Sequence, residues 1–365
     1  MSTEKNRSTP AVQHPEPGTG TCDALSRLPG IRRAWPARDG SISIECRDEQ
    51  GRLRAGTLAP QGTVSMLPYA TDPALPALAP PPHGELVVHR AARRAVVLEP
   101  ERVRKATRSG RAAPSSAALA AFGAFTAMGL RVPRVLAVGD AYIDLERLPG
   151  CSLAELGDDG LEGWKQLAGV WGGLSRPDAD LPVHGPRQEA EVLRGWFGNA
   201  SRRGLLTGLV EDPEALEHAV EEVCAKLVQD TPGSMTLSHR DLHDGQLLWN
   251  GEVLSLIDLD TACLAEAELD LGNLIAHAEL MNVQGRLSDR GAERLSPVLD
   301  LMCSAVPAHA DRLSIYRRSA ALRLIFVHAF RPGARAWLPT WVCRSLAPLP
   351  SSCTINLSLR SAPCV

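Results

Sequence analysis

The sequence predicts a bilobal α+β protein, with a small β-rich N-lobe, a larger helical C-lobe and an extra N-terminal β segment. Three observations predict it. Short runs with strand-like alternation dominate between positions 31 and 146. Apolar residues at helical spacing dominate most of the chain beyond position 150. The change falls at Pro149-Gly150, a pair that punctuates both kinds of element. The 365 residues suit two lobes at roughly 100–200 residues per domain.

Positions 1–24 are polar and Pro-rich with no apolar stretch, which predicts a disordered leader and not a secretory signal. Positions 25–83 predict a β-rich extension and connector. Ser41-Ile-Ser-Ile-Glu-Cys46 and Arg52-Leu-Arg-Ala-Gly-Thr57 flank the turn Asp48-Glu-Gln-Gly51, and Pro76, Pro80, Pro81 and Pro82 then break any regular element. The N-lobe is expected over 84–148, with strands near 85–89, 94–98, 102–106, 134–138 and 142–146 and a helix near 115–128. The helical lobe is expected over 149–335, with helices near 162–175, 187–199, 266–282, 291–305 and 309–330. Pro213 opens a further helix that aligns Leu216, Val220, Val223 and Leu227 on one face. Val253-Leu-Ser-Leu-Ile257 is the one β-like island there, and 336–365 reads as a C-terminal tail.

Composition excludes several functions. With 39 Lys+Arg against 42 Asp+Glu the net charge is −3, so there is no basic footprint for nucleic acid or an anionic membrane surface. The uncharged stretch 112–130 is rich in Ala, Gly, Ser and Thr and carries Pro114, so a half-buried helix is expected there and not a membrane span. Nine scattered cysteines without a C-x-x-C pair predict reduced thiols and a cytoplasmic protein.

The informative segment is Leu237-Ser-His-Arg-Asp-Leu-His-Asp-Gly-Gln-Leu-Leu-Trp249, followed by Leu256-Ile-Asp-Leu-Asp260. An apolar strand ends in Asp258, seventeen residues after the loop carboxylate Asp241. Such a pair can share one cleft wall. Phosphoryl transfer needs that arrangement: one carboxylate orients or deprotonates an acceptor hydroxyl, and another holds Mg²⁺ against the nucleotide phosphates. Two rivals fail. A phosphatase of the D-x-D-x-T type needs a Thr at 262, where this chain has Ala262 after Thr261. A zinc hydrolase built on His239, Asp241 and His243 lacks a further His cluster.

The pattern resembles the aminoglycoside phosphotransferase and choline kinase branch of the protein-kinase-like superfamily. His239-Arg240-Asp241-Leu-His-Asp-Gly-Gln246 is similar to its H-x-D-x-x-x-x-N loop, Asp258 to its strand-ending Asp, and Asp270-Leu-Gly-Asn-Leu274 to its helix-opening Asp. The resemblance covers roughly 85–330 and implies a protein-kinase-like fold and ATP- and Mg²⁺-dependent phosphorylation of a small-molecule hydroxyl. It implies Asp241 as the base, Lys105 as the phosphate clamp, and Glu146, Arg147 and Leu148 as the adenine-binding hinge. It implies Asp258 as the main metal ligand and Gln246 as a second contact, with Asp260 either a further ligand or a solvated strand end. A backbone turn near 91–94 would cover the phosphates. A monomer or weak dimer is expected, without nucleic-acid or membrane partners.

The chain departs from the family pattern at Gln246, where Asn is usual, and in the helix over 115–129, which has no acid to pair with Lys105. Those departures motivate the alternative of a catalytically weak or inactive pseudokinase acting as a binding module. His239 and His243 read as loop-packing residues, His277 and Glu279 as packing and surface, and Trp164, Trp171 and Trp196 as core anchors.

Overall fold

The computed structural model describes residues 21–347 apart from 82, 113–115, 176–179 and 211, together with 355 and 357. Most of the expected leader lies outside the described residues, but its end does not. Helix α1 (Thr21–Arg27) already begins there, with Ala24 and Leu25 buried. The extension then forms a four-stranded antiparallel sheet of β1 (Ile31–Pro36), β2 (Ile42–Arg47), β3 (Leu53–Leu58) and β4 (Val64–Met66), in that order. The Asp48–Gly51 turn works as its sequence suggests. The Asp48 carboxylate accepts the Gln50 and Arg52 amides, and Gly51 takes the φ of +74° that a side chain would resist.

The N-lobe follows as β5 (Glu85–Arg90), β6 (Arg94–Leu98), β7 (Arg102–Thr107), α2 (Ser116–Ala127), β8 (Val135–Val138) and β9 (Tyr142–Glu146). Its antiparallel sheet runs β5-β6-β7-β9-β8, with Lys105 opposite Val96 on one side and Ile143 on the other. Leu53 of the extension shares a core with Leu75, Leu86, Ala95, Val97 and Ala106, so the two sheets bury one another.

The C-lobe carries the 239–246 loop between two small antiparallel units. After β10 (Cys151–Ser152) come α3 (Leu153–Leu156), α4 (Leu161–Trp171), α5 (Pro186–Ser201) and α6 (Pro213–Gln229). Then β11 (Met235–Ser238), β12 (Leu247–Trp249), β13 (Leu254–Leu256) and β14 (Cys263–Glu266) precede α7 (Glu268–Val283), α8 (Asp289–Ala305), α9 (Ala310–Ala329) and α10 (Leu338–Leu346). Strand β12 pairs with both β10 and β13, while β11 pairs with β14. The β11–β14 ribbon escaped the sequence reading because Met235–Ser238 has no alternation: Thr236, Leu237 and Ser238 are all buried. Inside the lobe Arg312 donates to both oxygens of Glu266 (2.6 and 3.0 Å), a doubly buried pair joining α9 to β14. No helix among the described residues is long and apolar enough to cross a membrane.

Two expectations about the chain's end are corrected. The stretch beyond 335 starts with α10, whose Trp341 is fully buried and donates its indole N–H to the Ala321 carbonyl at 3.1 Å. Ile355 and Leu357 are also buried, with the Ile355 amide on Asp300 (2.9 Å). Composition hid this because docking needs a few apolar anchors and not a periodic pattern. Among the described cysteines, Cys46, Cys151, Cys224 and Cys263 are free thiols, as expected, but Cys343 is disulfide-bonded.

Trp341→Ala should lower the unfolding free energy by about 3–5 kcal/mol, the usual cost of emptying a packed aromatic site. Urea denaturation measures it, and a change below ~1 kcal/mol would mean that α10 is not part of the core.

Candidate active site

Strand alternation decides what Lys105 can reach. Arg102 and Arg104 share one face of β7, where both hold Asp144 (3.0 and 2.8 Å). Lys105, between Arg104 and Ala106, points the other way, across the cleft. Its Nζ lies 2.5 Å from Asp258 Oδ1 and 3.0 Å from Asp260 Oδ2, and its side chain is only 15% exposed. Burial alone would lower the lysine pKa, but Asp258 and Asp260 outweigh it and the net direction is upward. Burial likewise works to raise Asp258, and the Lys105 charge overrides it, bringing that carboxyl down to about 2. Both directions describe one ion pair joining the lobes.

Asp258 stands at the end of β13 in the left-handed region (φ +64°), as does Arg240 in the facing loop (φ +71°). Residues other than glycine hold that conformation only when their surroundings fix it, at roughly 1–3 kcal/mol each. The fixing group is Asp270 in the first turn of α7, which accepts the amides of His239 (2.6 Å) and Arg240 (2.9 Å). Asn273, one turn on, donates to the Arg240 carbonyl (3.0 Å) and accepts Arg323 Nη2 (2.9 Å). His239 is fully buried and turns its Nε2 to the Ile257 carbonyl at 2.9 Å, so that nitrogen carries the proton. One side chain thereby ties the residue before Asp258 to the loop that bears Asp241.

Asp241 itself is open, with a side chain 51% exposed, and Arg323 Nη1 of α9 lies 3.6 Å away. The sequence reading passed over Arg323. A lone arginine within the apolar run Ala320–Phe326 was the available signal. The Gln246 backbone is clamped beside Asp258, since its carbonyl accepts the Ile257 amide at 3.0 Å, while its side-chain amide makes no hydrogen bond among the described residues. In the hinge, the amides of Glu146 and Arg147 already donate to Arg134 (2.8 Å) and Glu101 (3.1 Å), and Leu148 is buried. The Glu146 carboxylate holds Arg131 and Arg134. The β5–β6 turn places Ala92 at φ +54°, and Arg94 at its end is close enough to act electrostatically on Asp258.

His277 and Glu279 are not surface residues. Glu279 is buried and pairs with Arg317, and His277 stacks on His243 at 4.7 Å with its Nδ1 3.3 Å from Asp244. These two histidines and Asp244 bring ligand atoms within 4.8 Å of one another, yet the rings lie only 14° from parallel. Imidazole lone pairs lie in the ring plane, so stacked rings do not converge on one ion. His243 Nδ1 also accepts the Gly245 amide (2.9 Å). The cluster braces the loop. Hard oxygen donors of the kind that suit Mg²⁺ occur instead at Asp258, Asp260 and Gln246, so the residues fit that ion.

A sequence model of the phosphotransferase enzyme family matches residues 85–300. No curated protein matches the chain in sequence. Among solved structures, an amicoumacin kinase in complex with AMP-PNP and Ca²⁺ aligns with a TM-score of 0.52 at 13% identity, covering 73% of this chain and 89% of its own. A choline/ethanolamine kinase family protein from Mesorhizobium loti aligns with a TM-score of 0.50 at 16% identity, covering 73% and 88%. At these identities the likeness shows a shared fold, the two-lobed protein-kinase-like arrangement.

The histidine stack makes folding pH-dependent. Burial, then the neighbouring His277, lowers the His243 pKa to about 4 against an unfolded value of 6.5. The unfolded chain therefore gains this proton first on acidification, and the stability present above pH ~6.5 is lost as pH falls toward 4. Urea denaturation at pH 7 and pH 5 should show a loss of roughly 1 to 2 kcal/mol from this residue, smaller in His243→Gln. Equal losses in both proteins would remove His243 from the account.

Proposed function

The chain belongs to the phosphotransferase enzyme family, and from that premise we propose that it is an ATP- and Mg²⁺-dependent kinase acting on a hydroxyl of a small molecule. The observation that carries the reading is Lys105 Nζ reaching from the small lobe to Asp258 and Asp260 (2.5 and 3.0 Å). It brings a phosphate-binding cation and the carboxylates for a metal ion to one place.

In this reading Lys105 binds the nucleotide phosphates, and the β5–β6 turn with Arg94 covers them. Asp258, with Asp260 and Gln246, holds Mg²⁺, which when bound neutralises phosphate charge. Adenine meets the hinge through the carbonyls of 146–148 and the Leu148 amide, since the amides of Glu146 and Arg147 are engaged. Asp241 accepts a hydrogen bond from the acceptor hydroxyl and takes its proton as the new O–P bond forms and the bond to ADP breaks. Arg323 keeps the Asp241 carboxylate aimed into the cleft. The helix acid that protein kinases use to position the lysine is lacking in α2, and Asp260 answers that need here. This supports an active enzyme over a binding module.

Asp258→Ala should abolish turnover of Mg·ATP. Asp241→Ala should lower kcat by about 10²–10⁴ while leaving nucleotide affinity nearly intact, because a general base acts only on the acceptor. Kinetics with calorimetric titration of Mg·AMP-PNP separate the two, and equal loss of nucleotide affinity in both variants would show the roles to be wrongly divided.

Gln246 offers the oxygen of an Asn on a side chain one methylene longer, and Mg²⁺ tolerates misplaced ligands poorly. Gln246→Asn should therefore lower the free Mg²⁺ needed for half-maximal activity without changing acceptor preference. An unchanged Mg²⁺ requirement would make Gln246 a packing residue.

A further inference from the structure

Protein kinases cover the nucleotide phosphates with a glycine-rich loop. The turn between β5 and β6, Arg90-Ala-Ala-Arg-Arg94, has no glycine, yet Ala92 at its tip holds a φ of +54°. A residue with a side chain keeps that conformation only where its surroundings fix it. The fixing groups lie outside the turn. The Ala92 amide donates to Asp72 Oδ2 at 2.7 Å, and the Ala92 carbonyl accepts Arg108 Nε at 2.6 Å. Within the turn, the Arg93 amide closes on the Arg90 carbonyl (3.0 Å).

Asp72 is itself buried, in the connector between β4 and β5, and its other oxygen accepts the Ala74 amide (2.9 Å). Its Oδ2 also meets Nε2 of the fully buried His89 at 3.3 Å. Burial lowers the His89 pKa and outweighs the pull of Asp72, so the ring is neutral and Nε2 donates its proton. The chain entering the turn is held by the same extension. The His89 amide donates to Glu45 of β2 (2.9 Å), and Arg90 donates to the Pro36 carbonyl of β1 (3.4 Å) with its guanidinium over Trp35. Asp72, Glu45, Pro36 and Trp35 all precede residue 85, where the family match begins.

The direction of the grip follows from strand pairing. Arg94 stands opposite Thr107 and Val96 opposite Lys105, so Arg94 shares the face of Lys105. His89, Ala95 and Ala106 pair across the other face, where all three are fully buried. Asp72 therefore holds the turn from the side away from Lys105.

We propose that the N-terminal extension is part of the nucleotide site, with Asp72 a positioning residue that keeps the β5–β6 turn preformed over the phosphates through the Ala92 amide. The inference rests on the kinase reading for the place of the phosphates. A turn that is already ordered loses little conformational entropy when phosphate arrives. The clamp thus acts on phosphate affinity and not on adenosine, which meets the hinge.

The test uses the full chain. Hydrogen exchange without nucleotide should find the Ala92 amide protected, where an unclamped turn tip exchanges freely. Calorimetry then compares Mg·AMP-PNP with adenosine, which has no phosphates. Asp72→Ala should weaken Mg·AMP-PNP about tenfold, the worth of one hydrogen bond to a charged group, and leave adenosine affinity unchanged. Because Asp72→Ala strips partners from buried groups, Asp72→Asn gives a second variant that keeps the side-chain volume. Its neutral oxygen is the weaker acceptor, and a loss of a few-fold is expected. A variant that only destabilised the small lobe would weaken both ligands alike. Free exchange of the Ala92 amide in the wild type, equal losses for the two ligands, or unchanged Mg·AMP-PNP affinity in both variants would overturn the inference. Failure of the wild type to bind Mg·AMP-PNP would instead overturn the kinase reading, and exchange at Ala92 in wild type and Asp72→Asn would still report on the clamp.

Discussion

The carboxylate of Asp270 is the point from which the site is built. It accepts two successive backbone amides, those of His239 and Arg240, which α7 brings under the loop. Without it the buried His239 amide would lose its acceptor, the Arg240 amide would keep only the Ser238 hydroxyl (3.1 Å), and the left-handed turn at Arg240 would lose much of its support. With it, the chain reverses so that His239 points inward to the Ile257 carbonyl while Asp241 points outward into the cleft. Thr261 adds a hydroxyl bond to the His239 carbonyl (3.0 Å), closing a ring of contacts between the loop and the segment after β13. The backbone beneath each carboxylate is thus placed by buried hydrogen bonding.

The inter-lobe ion pair is of a different kind. Lys105 and Asp258 are each partly buried, so their attraction is stronger than that of a surface pair. Asp258 and Asp260 would repel one another across a short distance, and the lysine that meets both offsets that repulsion. Asp260 is more than half exposed and can leave at little cost, whereas Asp258 is anchored by its strand. The site thus gathers one cation and two carboxylates within the same few ångströms.

The N-terminal sheet binds the two lobes to each other. Its Ile42, Ile44 and Leu58 share a core with Leu193, Val220 and Phe326 of the helical lobe, while Leu53 enters the core of the small lobe. Between those apolar contacts Arg33 bonds both Glu45 and the Val87 carbonyl, and Arg203 reaches the Ala37 carbonyl. Any movement of one lobe against the other would have to break these contacts.

The sequence by itself determined the order of strand-rich and helix-rich halves, because alternation and helical spacing are local properties of the chain. It also marked Asp241, Asp258 and Asp270, because a loop, a strand end and a helix start each carry their own signature residues. Tertiary structure alone decided the rest. Whether Lys105 was one more cation on a solvated face depended on which side of β7 faces the cleft, and that is set by the pairing of β6, β7 and β9. Arg323 and the stacked His277 lie on helices far along the chain from the loop they touch, so no spacing rule could join them to it. Likewise Glu189, Glu266 and Glu268 meet His184, Arg312 and the His309 amide only in the folded chain, because a hydrogen-bond partner is set by distance in space and not along the chain.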